Sequence, residues 1–68
     1  MDEQRRKQKE RIREYLRKIR AYADFCLEDL EEDNTYLIDH RLDEIQRVAD
    51  IVQVYVREYE DLIEEEEE

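Results

Sequence analysis

Between residues 37 and 63 the apolar side chains recur at helical spacing, yet they occupy more than one face of the helix they would form. At 3.6 residues per turn, Ile38, Leu42, Ile45, Ala49, Val52, Val56, Tyr59 and Ile63 fall within about 100° of one another and make a core-facing stripe. Leu37, Val48, Ile51, Tyr55 and Leu62 make a second stripe beside it. One partner helix covers the first stripe and leaves the second in water, so a further helix is implied. The second stripe is therefore the expected interface. Its expected occupant is a second copy of the chain, with a different protein as the alternative.

The partner for the first stripe lies earlier in the same chain. From Asp2 to about Glu31 the residues Ile12, Leu16, Ile19, Ala23, Cys26 and Leu30 share one face, with Tyr15 and Tyr22 on its flank and Phe25 and Leu27 at its edges. Asp2 with Arg6, Glu3 with Lys7 and Glu14 with Lys18 are expected as i,i+4 ion pairs that support the helix. Before Ile12 only Met1 is apolar, so the first turns are expected to project beyond the packed part or to lie over polar surface.

Glu32, Asp33, Asn34 and Thr35 separate the two patterns and hold the turn-forming residues of a chain that has no Gly and no Pro. Asn34 is the expected left-handed residue closing the first helix, and Thr35 or Asp33 the N-cap of the second. No Glu or Gln stands three residues after either cap, so a capping box is not expected. The second helix is expected from about Tyr36 to Glu64. Its centre, VADIVQVYV, is rich in β-branched residues and taken alone could pass for a strand, but the helical pattern runs on for some seven turns, against the five or six residues of a typical strand.

A short link between two such helices gives an antiparallel hairpin; a single helix running through Asn34 is the alternative, because no residue there forbids it. In the hairpin Ile12 is expected near Val56 or Tyr59, and Cys26 near Leu42 or Ile45. Residues 65–68 of the terminal glutamate run are expected to fray by mutual repulsion. The expectation is thus one all-α domain spanning residues 1–68, an antiparallel two-helix hairpin dimerising into a four-helix bundle.

Size gives the same expectation. A chain of 68 residues supplies only a few kcal/mol from its own core, and small domains of this kind normally rely on a staple or on another chain. One cysteine and one histidine provide neither an intramolecular disulfide nor a zinc ligand set. Half the residues are charged, but an apolar fraction of 40% at helical period argues for order rather than disorder.

Charge is sharply divided. Residues 1–20 hold nine Lys or Arg against four Asp or Glu, a net of +5, whereas residues 21–68 carry a net of −15. Positive charge at a helix N-terminus and negative charge at a C-terminus both oppose the macrodipole. A hairpin offsets this by laying Arg5, Arg6, Lys7 and Lys9 beside Glu60, Asp61 and the glutamate tail. These four basic residues are also the candidate contact for a polyanion, since clustered Lys and Arg neutralise phosphates. Asp39, Asp43, Asp50 and Asp61, along one face of the second helix, give acidic mimicry of nucleic acid as the converse possibility. Solvated charged faces are the simpler reading of both, because the chain as a whole is acidic and Arg47 and Arg57 interrupt the acidic row.

No catalytic constellation emerges, and the chain is not expected to be an enzyme. There is no serine for a triad and no glycine to cradle a phosphate. Cys26 sits within the apolar stripe with no neighbouring histidine, the position of an inert buried thiol. His40 has Asp43 and Glu44 one turn away, but Leu37 stands where a Glu-x-x-His metal motif needs its carboxylate. No metal and no cofactor is expected. No apolar run of about 18 residues is present and no h-region follows the basic N-terminus, so a cytoplasmic protein with a reduced thiol is expected.

The functional expectation is a small acidic helical interaction module: an adaptor, inhibitor or regulator acting by contact as a homodimer. A nucleic-acid-linked role is the alternative. A designed bundle without biological activity is a third reading, against which stands a charge order opposite to the one a designer gives helix ends.

Overall fold

The computed structural model describes residues 2–67, with side chains from 3 to 65; Met1 and Glu68 lie outside the described residues. Two helices account for nearly all of it, α1 (Asp2–Glu31) and α2 (Thr35–Glu67), packed antiparallel as a hairpin 52 Å long and 15 by 13 Å across. Among the residues whose side chains are described, the ion pairs within α1 and α2 run at i,i+3: Glu3 with Arg6 at 2.8 Å, Glu10 with Arg13, Glu14 with Arg17 and Glu44 with Arg47; the expected pair of Asp2 with Arg6 lies outside them. This spacing, like i,i+4, brings side chains together on one helix face. Glu3 thus takes Arg6 rather than Lys7, and Glu14 takes Arg17 while Lys18 lies over the Tyr15 ring.

The turn is one residue tighter than expected, and its roles are shifted. Asp33, not Asn34, takes the left-handed conformation, at φ 57°. The Asn34 amide donates to the Asp29 carbonyl at 2.8 Å and the Asp33 amide to the Leu30 carbonyl at 3.0 Å, the paired bonds of a Schellman closure. Asn34 is thereby positioned to begin the next helix, and its Oδ1 accepts from the Leu37 amide at 3.2 Å as the N-cap. One residue closes α1 and opens α2, which is why neither Thr35 nor Asp33 is needed as a cap. At the other end α2 does not stop at Glu64 but continues to Glu67. Each added residue gains a backbone hydrogen bond, and Glu is a good helix former; together these outweigh like-charge repulsion of a few tenths of a kcal/mol per pair.

The seam between the helices follows a strict alternation of three and four residues, the spacing of a coiled coil. On α1 it takes Arg5, Gln8, Ile12, Tyr15, Ile19, Tyr22, Cys26 and Asp29; on α2 it takes Ile38, Arg41, Ile45, Val48, Val52, Tyr55, Tyr59 and Leu62. Every one of these is buried or half-buried. The seam therefore starts well before Ile12: Gln8 is buried, its Nε2 donating to the Tyr55 carbonyl at 3.0 Å and to Glu58 Oε2 at 2.9 Å. These contacts, with Asp29 against Arg41 at the turn, set the register.

The seam is narrow. Its only buried apolar residues are Val48, 9% exposed, and Val52, 7% exposed, and no large side chain in the described part is fully buried. The chain exposes 5687 Å², whereas a compact monomer of its 8.6 kDa exposes about 4,700 Å². The hairpin thus leaves on the order of 1,000 Å² that a self-sufficient globule of this size would have covered.

Candidate interaction surface

The seam residues occupy heptad positions a and d, and the uncovered apolar surface lies in the rows beside them. With the helices antiparallel, the two g rows meet along one edge of the hairpin and the two e rows along the other. Cross-helix contacts identify the g edge directly. Gln8 reaches Glu58 there, the Arg11 guanidinium lies over the Tyr55 ring at 5.0 Å, and that of Arg41 over the Phe25 ring at 4.7 Å. This edge is mixed, with Arg11, Lys18, Glu44 and Glu58 set among Phe25, Leu37 and Ile51.

The e edge is different. Its rows are Lys9, Leu16, Ala23 and Leu30 on α1, and Leu42, Ala49, Val56 and Ile63 on α2, aliphatic at every place but one. Leu16 is 52% exposed, Leu30 57% and Leu42 43%; Ala23 and Val56 are also open, and Ala49 and Ile63 half-covered. These side chains bring no polar group that burial would leave unsatisfied. The basic side chains of α1 flank the strip, since Lys9, Ile12, Arg13, Leu16, Arg17 and Arg20 together line a shallow depression.

The seam draws on both stripes of the α2 sequence. The expected core stripe is made of positions a and e, and α1 covers only the a residues, leaving Leu42 and Val56 open. The expected interface stripe is made of d and g, and the hairpin uses its d residues for itself. Val48 is buried, Tyr55 is half-buried with its ring 5.5 Å from that of Tyr15, and Leu62 is half-buried. Leu37, whose amide is held by the Asn34 cap, is half-buried too. Of the five, only Ile51 remains open. The physical reason is the crossing geometry: a two-helix seam centres on a and d, between the stripes, rather than on either one.

The candidate polyanion residues are separated by their surroundings. Arg5 lies over the Tyr59 ring at 6.0 Å, half-buried on the seam, and Arg6 is held by Glu3. Lys7 and Lys9 are exposed. On the outer face of α1 the signs alternate, Glu3, Glu10 and Glu14 being interleaved with Arg6, Lys7, Arg11 and Lys18 around one depression. His40 is exposed on α2, and Cys26 is half-buried on the seam. Among the described residues no three His, Cys, Asp or Glu are grouped to hold a metal, and no helix is long and apolar enough to cross a membrane.

Gln8, Asp29 and Arg41 were not among the expected packing residues. The signal for them was the three-and-four spacing itself, which runs back from Ile12 and Tyr15 to Gln8 and Arg5, and on from Cys26 to Asp29. No protein-family model matches this chain, and neither does any curated protein or solved structure.

Proposed function

We propose that this protein is a small helical interaction module that acts by contact and works as a homodimer, two hairpins closing their e edges on one another to make a four-helix bundle. The observation that carries this reading is the strip of open aliphatic residues, Leu16 and Leu30 on α1 with Leu42 and Val56 on α2, all on one edge. Positions a and e together form the inward face of a helix in such a bundle, so a second hairpin would complete the stripe that the first leaves half-covered. The area agrees: about 1,000 Å² of excess surface per chain compares with roughly 800 Å² per partner in a standard stable interface. Once the strips are consumed, the mixed g edges and the charged outer faces remain as the surface for other proteins.

Sedimentation equilibrium over a concentration series tests the reading, with circular dichroism on the same samples. The native chain is expected at twice its monomer mass. Leu42→Glu with Val56→Glu, both at exposed positions of the hairpin, is expected to give a helical monomer. Ile51→Glu, on the opposite edge, is expected to leave the mass unchanged. A native monomer at every concentration, or dissociation by Ile51→Glu alone, would overturn the proposal.

A further inference from the structure

We infer that the second copy docks with its turn at the same end as the first, so that each α1 lies along the α2 of the other hairpin. This rests on the self-association proposed above and adds its geometry. Two symmetric ways exist of placing one e edge on another. A two-fold axis along the length of the hairpin keeps the turns together and sets α1 on the partner's α2. A two-fold axis across the length puts the turns at opposite ends and sets α1 on α1 and α2 on α2. Both bury the same aliphatic rows, so apolar burial does not choose between them. Charge does.

Next to each e row, on the docking side, runs the b row. On α1 it is Arg6, Arg13, Arg20 and Leu27; on α2 it is Asp39, Gln46, Gln53 and Glu60. The hairpin register, fixed by Gln8 beside Tyr55 and Glu58 and by Asp29 beside Arg41, assigns each residue a level along the axis. The lengthwise two-fold keeps these levels. Arg6 then falls on the partner's Glu60, Arg13 on the partner's Gln53 and Arg20 on the partner's Gln46, each contact made twice by symmetry. Arg6, whose pair with Glu3 is itself exposed and leaves other N–H groups of the guanidinium to donate, and Glu60, also exposed, are able to meet. The one mismatch is Leu27, which falls on the partner's Asp39. The crosswise two-fold reverses the levels: Arg13 meets the partner's Arg20, and Asp39 meets the partner's Glu60, again twice each. Four like-charge contacts on a dimer face are a direct penalty, and like-charge juxtaposition is the usual way a wrong arrangement is rejected.

The test uses one spin label per chain, at Glu32→Cys on the exposed turn with Cys26→Ala to remove the native thiol, and reads the distance between labels in the dimer. Turns at the same end give a distance of roughly 25 Å, set by the width of packed helices. Turns at opposite ends give one close to the 52 Å length of the hairpin and overturn the inference. Absence of any dipolar coupling at high protein concentration, with helicity intact, overturns the self-association itself, so the two failures are distinguishable. An independent arm keeps Cys26 native. Glu60→Arg, which sets Arg against the partner's Arg6, is expected to raise the dimer dissociation constant roughly fivefold. Adding Arg6→Glu should restore it. In the crosswise arrangement Glu60→Arg would instead face the partner's Asp39 and tighten the dimer, an outcome that refutes the inference.

Discussion

The Asp29 carboxylate accepts a 2.6 Å hydrogen bond from Nε of Arg41, joining the last seam position of α1 to the second seam position of α2. Asp29 is among the most buried residues of the chain, and its backbone carbonyl also receives the Asn34 amide that closes the turn. The Arg41 guanidinium is packed over Phe25. One acidic residue thus links the turn to the seam and, through Arg41, to Phe25. Gln8 plays the corresponding part at the open end, which leaves the aliphatic and tyrosine layers between two polar clamps.

Removing one half of the Asp29 and Arg41 pair should cost more than the pair contributes. Asp29→Ala leaves a largely covered guanidinium without its acceptor, and a loss of about 2–3 kcal/mol is expected in urea unfolding followed by circular dichroism. Leu at both positions should come within about 1 kcal/mol of the native chain, since apolar replacement of a buried pair is often neutral or better. If Asp29→Ala proved as stable as the native protein, the pair would not be holding the turn to the seam.

Gln8 makes a different prediction, because its partners do not depend on it. The Tyr55 carbonyl lies within a helix and the Glu58 carboxylate is open to water, so neither is stranded when the amide goes. Gln8→Leu should therefore raise stability by up to about 1 kcal/mol by extending the apolar seam. It should also weaken the choice of register, as loss of a polar seam residue does in coiled coils. Urea unfolding reads the first effect, and broadened amide resonances near residues 55–59 would read the second.

The turn separates two contributions that usually coincide. Asn34→Ala removes the acceptor for the Leu37 amide and should lose about 1 kcal/mol. Asp33→Gly relieves a left-handed conformation at a residue with a Cβ and should gain about 0.5–1 kcal/mol. Thermal unfolding at one fixed protein concentration measures both; shifts in melting temperature of opposite sign, the gain no larger than the loss, are the expected pattern.

Much of this was legible in the sequence, because helix period and the lack of Gly and Pro leave few choices for so short a chain. Both helices, the short turn and the antiparallel arrangement follow from pattern and length. The seam was harder to place, since two adjacent stripes on α2 suggested that one faced inward and the other outward. In fact the dividing line runs through both, and the decisive residues were polar. A pattern scored on hydrophobicity gives no weight to Gln8, Asp29 or Arg41, although all three lie on the three-and-four spacing. The cap was misplaced for a similar reason. Asn is well suited both to a left-handed position and to an N-cap, and only the closing bonds to Asp29 and Leu30 show which role the turn assigns it.

Salt should act in opposite directions at the two ends of the hairpin. At the open end the antiparallel arrangement sets the basic start of α1 at the level of Glu58, Glu60 and Asp61, and Arg5 and Arg11 lie over the neutral Tyr59 and Tyr55 rings. At the turn end the excess is of one sign, residues 21–47 holding nine Asp or Glu against two Arg. The one inter-helix ion pair described there, Asp29 with Arg41, is largely covered and so is weakly screened. Raising ionic strength from about 0.01 to 1 M shortens the screening length from roughly 30 to 3 Å, which weakens attraction at the first end and repulsion at the second. Amide hydrogen exchange at fixed protein concentration should accelerate severalfold in residues 5–12 and 55–62 and slow in residues 24–31 and 37–44. A change of the same sign at both ends would mean that the division of charge along the chain has no part in holding the hairpin closed.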